Sequence, residues 1–235
     1  MPKKSINDIR VPTYDDLFTN EEQRQEAKLE KIMEVPVEDI QEFKNHPFRV
    51  RNDEQMSELV KSVSKNGILV PVLVRPHPNG HGYEMISGHR RMNAAIVNGQ
   101  EKIQAIVREL TDDQATIIMV DSNIQRENIL PTERGFAYKM KLDAMIRQSG
   151  RPKDNGSQVG NHLKGKKSIE VLAEEERKSK NQIHRFIRLT ELIESLRDMV
   201  DGIRSDGKKI AFNPAVELSY LSKENPVSYT HLTLP

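Results

Sequence analysis

The sequence predicts an α+β protein in which a small domain of mixed strands and helices precedes an all-helical domain. Short β-rich runs alternate with helical patterns up to about residue 128, and only helical patterns follow Pro131. We therefore expect four segments, which are an N-terminal arm (1–34), the mixed domain (35–128), the helical domain (129–226) and a tail (227–235).

Composition narrows the class of protein. The 235-residue chain has no cysteine, which excludes disulfides, thiolate catalysis and cysteine zinc sites and fits a reducing cytosol. Neither a membrane-length apolar run nor a secretory signal is visible, so we expect a cytoplasmic protein without membrane contact. Residues 151–190 carry 10 Lys and Arg against 5 Asp and Glu, a local excess typical of nucleic-acid contact.

The mixed domain has clear element signals. Met56, Leu59, Val60 and Val63 recur at helical spacing, and Gly67 closes that helix. Strands are predicted over Ile68–Val74, Tyr83–Ile86 and Ile103–Val107, with a turn at Asn79-Gly80. A capping box at Thr111–Gln114 opens the next helix, which carries Ile117, Ile118 and Asn123.

The segment Ser87-Gly88-His89-Arg90-Arg91 lies between a predicted strand and a predicted helix. A glycine there leaves the N–H groups of the first helical turn free to bind an anion. Two adjacent arginines would add bidentate donors for phosphate. The alternative is an ordinary glycine turn with two solvated arginines.

The second domain is predicted to be helical throughout. Phe136, Met140, Leu142 and Met145 form a candidate buried stripe, Gly150–Lys167 is a loop, and Asn213-Pro214 begins a last helix. Gly150-Arg151-Pro152 resembles the core of a minor-groove hook, but three residues are a weak signal and a flexible linker is the favoured interpretation.

Residues 168–189 have the pattern of a helix-turn-helix. Two helices, opened by Ser168 and Ser179, would pack through a shared apolar set: Val171, Leu172, Ile183, Phe186 and Ile187. The turn position that is often glycine is Arg177. We expect the following DNA-binding residues on the outer face of the second helix or at its cap: Ser179, Lys180, Asn181, Gln182, Arg185 and Arg188. The alternative is a helical hairpin with a solvated basic face.

Three motifs in order, Gly67–Val72, Ser87–Arg91 and Asn123–Glu127, followed by the helix-turn-helix, resemble the ParB partition-protein family over about residues 35–225. The resemblance implies a ParB/sulfiredoxin-like nucleotide-binding fold. It also implies a clamp that loads on double-stranded DNA at a centromere-like site and closes on CTP. The implied partners are a ParA-like ATPase and a second copy of the chain, and the implied location is the cytoplasmic nucleoid.

The resemblance carries over a nucleotide site, whose expected residues are Gly67, Pro71, Gly88, His89, Arg90, Arg91, Asn123 and Arg126. Of these, Asn123 would also reach Mg²⁺. Val70, His89 and Ser122 replace residues that are usually glutamine, glutamate and glutamate in the family. Because Mg²⁺ prefers carboxylates, the two lost glutamates argue for slow or absent hydrolysis and leave a weak CTPase activity open. His89 is expected either to donate to phosphate when protonated or to pair with backbone at the helix start.

Two other functions share these features. A ParB-fold free-serine kinase uses a related Gly-His motif, and a transcriptional regulator could use the helix-turn-helix alone. Sulfiredoxin chemistry is excluded because Gly88 stands at the cysteine position and the chain has no cysteine.

Residues 227–235 are uncharged and continue no earlier pattern. Their back-translation resembles a transposase-based sequencing adapter, so we expect an artefactual tail on a C-terminally truncated chain. The alternative is a natural disordered terminus.

Overall fold

The computed structural model describes residues 32–49, 53–126, 129–150, 167–204 and 206–221. Three sequence-based hypotheses lie outside these residues. They are the N-terminal arm up to residue 31, the minor-groove hook around Arg151 with the loop beyond it, and the tail 227–235.

The mixed domain contains a five-stranded sheet. Its strands are β1 (Ile32–Pro36), β2 (Ile40–Gln41), β3 (Val72–Pro76), β4 (Tyr83–Ser87) and β5 (Lys102–Val107), in the order β1-β5-β3-β4-β2. The β1–β5 and β3–β4 pairs are antiparallel, whereas β3–β5 and β2–β4 are parallel. β1 begins at Ile32, three residues before the expected domain boundary.

Strand β3 is shorter than the apolar run that predicted it. The run begins at Ile68, but the strand begins only at Val72. Gly67 ends the preceding helix with a left-handed φ of 69°, and Pro71 has no N–H to donate to a sheet. Residues 68–71 therefore form a loop, on which Leu69 and Val70 remain exposed.

Three helices complete the mixed domain, and their predicted signals are confirmed. They are α1 (Glu54–Asn66), α2 (His89–Val97) and α3 (Asp112–Ile124). The Asp53 side chain caps α1 by accepting from Met56 N, 2.8 Å away. Thr111 and Gln114 form the capping box of α3.

Five helices form the second domain: α4 (Pro131–Gly150), α5 (Ser168–Glu175), α6 (Lys180–Arg188), α7 (Glu194–Asp201) and α8 (Phe212–Leu218). The predicted stripe on α4 is only partly right. Met145 is buried, but Phe136, Met140 and Leu142 are half-buried, and the buried face carries Ala137, Tyr138, Lys141 and Ala144 instead.

The two domains share one hydrophobic core. Met119 of α3, Tyr138 of α4, Leu172 of α5 and Ile183 of α6 are all fully buried in it. Beside that core, the ammonium of Lys141 is almost fully buried and bonds to Asp121 of α3 (2.5 Å) and Glu175 of α5 (2.7 Å). Burial alone would lower the pKa of Lys141, but the two carboxylates outweigh it and raise the pKa. One buried charge thus links three helices.

In the part of the chain that the structure describes, no helix combines the length and the apolar character needed to span a membrane.

Candidate functional site

Gly88 forms the turn between β4 and α2. Its φ of 114° is left-handed, and a Cβ atom built there would lie 2.7 Å from Cγ1 of Val72. Only glycine fits both the backbone conformation and the space. The strand–glycine–helix arrangement predicted from the sequence is therefore present, and α2 begins with uncapped N–H groups at His89.

Three arginines lie around this turn. Arg90 pairs with Asp53 across 2.8 Å, and Arg91 donates to the carbonyl of Pro71 across 2.6 Å. Burial lowers the pKa of Arg126, and the charges of Arg90 and Arg91 lower it further, against a smaller opposite effect of Glu133. The guanidinium groups are thus close enough to repel one another, and a polyanion would relieve that repulsion.

His89 is buried at the start of α2, 3.9 Å from the ring centroid of His46. Burial, with the charges of His46 and Arg126, lowers the pKa of His89 to about 3. Neither ring nitrogen has a hydrogen-bond partner among the described residues. The expected pairing with backbone is therefore absent among the described residues, and the low pKa disfavours the protonated form that the expected phosphate contact requires.

Asn123 lies on α3 and is 1% exposed. Its Nδ2 donates to Met119 O (2.7 Å) and to Ser122 Oγ (3.2 Å), whereas its Oδ1 has no partner among the described residues. No group of three His, Cys, Asp or Glu side chains in the described ranges is arranged to hold a metal ion. The residues around Asn123 thus supply no protein Mg²⁺ site, since one amide oxygen is a weak ligand set for that ion.

Helices α5 and α6 form the predicted helix-turn-helix. Ser179 caps α6 by accepting from Gln182 N, 3.1 Å away. Arg177, at the position that is often glycine, has a φ of 52°. The turn therefore keeps the left-handed conformation despite the side chain, at a modest energetic cost. Leu172 and Ile183 are fully buried and join the two helices to the core.

The first half of the chain is similar in sequence to known proteins. Residues 21–124 match the family model described as the ParB N-terminal domain. The chain therefore resembles a ParB N-terminal domain over those residues. It is 33% identical over 117 residues to the chromosome-partitioning protein Spo0J of Thermus thermophilus, covering 50% of this chain and 43% of that one. It is 35% identical over 112 residues to the chromosome-partitioning protein ParB of Myxococcus xanthus, covering 48% and 37%.

The fold has a structural counterpart. A Pnob8-like ParB N-domain superposes with a TM-score of 0.52 and 14% identity, covering 88% of this chain and 86% of that one. That likeness supports the fold class alone. The matched segment of this chain spans about two fifths of the length of the two chromosome-partitioning relatives.

The structure brings several of the expected nucleotide-binding residues close together. Gly88, His89, Arg90, Arg91 and Arg126 are linked by contact or by mutual charge effects. Pro71 joins them through the bond from Arg91 to its carbonyl. Gly67 ends α1 at the other end of the same loop.

The expected DNA-binding residues fall into two groups. Ser179, Lys180, Asn181 and Gln182 are exposed, and Lys180 pairs with Glu170 across 3.0 Å. Arg185 and Arg188 are half-buried and contact α8 or the residues directly after it, so their expected role in DNA contact stays a prediction. The sequence does not show that α8 covers this side of α6.

Two histidines, one beside the Gly88 turn and one on α6, were not predicted from the sequence as site residues. His46 contacts His89 from a loop more than forty residues earlier, and no local pattern marks it. His184 is exposed on α6, one turn beyond Lys180, and helical spacing alone places it on that face.

The buried His89 predicts a specific loss of stability in acid. The unfolded chain binds a proton near pH 6.5 that folded His89 accepts only near pH 3. The stability that neutral His89 provides is complete above pH 6.5 and declines as the pH falls below it. Lowering the pH from 7.5 to 5 should reduce the free energy of unfolding of both proteins, as measured by urea denaturation. The reduction should be about 2 kcal/mol smaller for His89→Gln than for the parent protein.

The matched control is His81→Gln, because His81 is exposed. Its unfolding free energy should decline with acid as steeply as that of the parent protein. Equal pH profiles for His89→Gln and the parent protein would contradict the neutral, buried state of His89.

Proposed function

We propose that this chain is a ParB-type, DNA-binding partition protein that binds CTP at the Gly88 turn and duplex DNA through α6. The main support for CTP binding is the grouping of three arginines around the start of α2, next to the turn that Gly88 forms. Such a grouping suits a triphosphate because helix N–H groups and guanidinium forks both donate to phosphate oxygens.

The buried polar atoms around the turn support a bound ligand. Both nitrogens of His89 and Oδ1 of Asn123 are buried without hydrogen-bond partners among the described residues. Burying a polar atom without such a partner costs free energy, because its bonds to water are lost. A neutral imidazole donates one hydrogen bond, so His89 would contribute to phosphate binding without adding charge. The preference for cytidine rests on the resemblance to the ParB family.

Hydrolysis, if it occurs, is expected to be slow. The chain has His89 and Ser122 where carboxylates are usual, and the described residues form no magnesium site of their own. Any Mg²⁺ would therefore arrive with the nucleotide phosphates.

The DNA half of the proposal rests on the helix-turn-helix and on the basic segment that contains it. The exposed residues of α6 would contact base edges in the major groove, and the lysines and arginines around it would contact phosphates. In the same proposal the chain acts at the nucleoid, with a ParA-like ATPase and a second copy of itself as partners.

Replacing one arginine tests the nucleotide site. Arg90→Ala should weaken CTP binding at least tenfold in isothermal titration, because charge-assisted bonds to phosphate are lost. The fold should survive, since the Arg90–Asp53 pair is partly exposed and such pairs contribute little to stability. Lys65→Ala, which removes an exposed charge at the end of α1, should bind CTP normally. Unchanged affinity in Arg90→Ala would place the nucleotide elsewhere.

A further inference from the structure

The two arginines of α6 contact α8 or the residues directly after it. The guanidinium of Arg185 donates to Oδ1 of Asn213 across 2.6 Å and lies 5.3 Å from the ring centroid of Phe212. Asn213 and Phe212 both belong to α8. Each contact uses a different property of the guanidinium, its N–H donors and its flat face.

Arg188 is held in the same way one turn later. Its Nε donates to Oγ of Ser219 across 3.2 Å, and its Nη2 donates to the Ser219 carbonyl. Its guanidinium lies 4.1 Å from the ring centroid of Tyr220. Ser219 is itself buried, so this end of α6 is anchored to an ordered part of the core.

These contacts leave the two arginines poorly placed to contact DNA bases. Arg185 bonds to Asn213 through Nη2, and Arg188 bonds to Ser219 through Nε and Nη2, so a bidentate contact to guanine through the same groups would break these bonds. His184 lies three positions after Asn181 and four after Lys180, so these three exposed side chains share one face of α6, whereas exposed Gln182 lies further round the helix. On that face Lys180 pairs with Glu170, and Asn181 and His184 are polar side chains that can both donate and accept.

We infer that Arg185 and Arg188 are positioning residues that fix α6 against α8, and that base recognition falls to Asn181 and His184. The inference rests on the proposed DNA-binding function and assigns the roles within it. Arg185 and Arg188 thus set the orientation of the helix on the duplex, while Asn181 and His184 set which base pairs it prefers.

The test compares the 235-residue chain with four variants: His184→Ala, Asn181→Ala, Arg185→Ala and Asn213→Ala. A preferred duplex is first selected with the parent protein from a randomised pool. Each protein is then titrated by fluorescence anisotropy against that duplex and against a panel with every single base-pair substitution. Thermal melting confirms that each variant is folded.

A base-recognising residue and a positioning residue should change DNA affinity in different ways when they are replaced. His184→Ala and Asn181→Ala should each lose about tenfold affinity for the selected duplex and lose discrimination at one or two base pairs only. Arg185→Ala should lower affinity for every duplex in the panel by a similar factor. Asn213→Ala should reproduce that pattern although it keeps the arginine, because it removes the same anchor.

The inference is overturned if Arg185→Ala loses discrimination at a single base pair while Asn213→Ala keeps it. It is equally overturned if His184→Ala and Asn181→Ala retain the full base preference. A parent protein that enriches no duplex and binds none would instead contradict the proposed DNA-binding function, and the inference would fall with it.

Discussion

Gly88→Ala is expected to lower the free energy of unfolding by about 2–5 kcal/mol and to abolish nucleotide binding. Two costs combine at this position. A side chain at a φ of 114° is strained, and its Cβ would lie 2.7 Å from Cγ1 of Val72, which is fully buried at the start of β3. Relief would require movement of β3 or of the start of α2, and either movement displaces the arginines. Urea denaturation and isothermal titration with CTP measure the two effects.

Gly99→Ala is the matched control. Gly99 also has a left-handed φ, 68°, but an added Cβ would meet nothing within 4 Å. This variant should therefore lose only about 1 kcal/mol, the cost of backbone strain, and should bind CTP normally. If Gly88→Ala were no less stable than Gly99→Ala, the close contact with Val72 would not constrain the turn.

The second large effect is expected at Lys141. The double variant Asp121→Asn/Glu175→Gln leaves a buried ammonium with no opposite charge, and should lose about 2–4 kcal/mol of unfolding free energy. The upper end of the usual range is not expected, because both carboxylates are about half exposed and can be replaced in part by water. Chemical denaturation at pH 7 measures the loss.

Two further variants separate charge burial from other causes. Adding Lys141→Met to the double variant removes the buried charge and should restore most of the stability. Glu170→Gln removes the partner of exposed Lys180 and should leave the free energy of unfolding nearly unchanged. A triple variant as unstable as the double variant would show that the buried charge is not the cause.

Local signals predicted the elements of this chain well. Thr111 and Ser179 cap the helices they were expected to open. Gly88 forms the predicted turn between strand and helix, and Arg177 keeps a left-handed φ at a position where the sequence has no glycine. Each of these signals depends on a few neighbouring residues, which is why sequence alone is sufficient for them.

The environment of side chains could not be predicted in the same way. Burial lowers the pKa of His89, and the charges of His46 and Arg126, which come from distant segments, lower it further. Arg185 and Arg188 are anchored because α8 packs against α6, a tertiary contact that no periodicity reveals. The fold and the Gly88 turn were therefore predictable, whereas the surroundings of His89 and of the two arginines required the structure.

The central claim is that the Gly88 turn binds a cytidine triphosphate. Isothermal titration of the full-length chain with CTP, UTP, ATP and GTP in turn, with free serine added in a parallel series, tests it most directly. We predict saturable binding of one CTP per chain, much weaker heats with the other three nucleotides, and no phosphorylated serine. Absence of CTP binding at millimolar nucleotide, equal affinity for all four nucleotides, or formation of phosphoserine would contradict the claim.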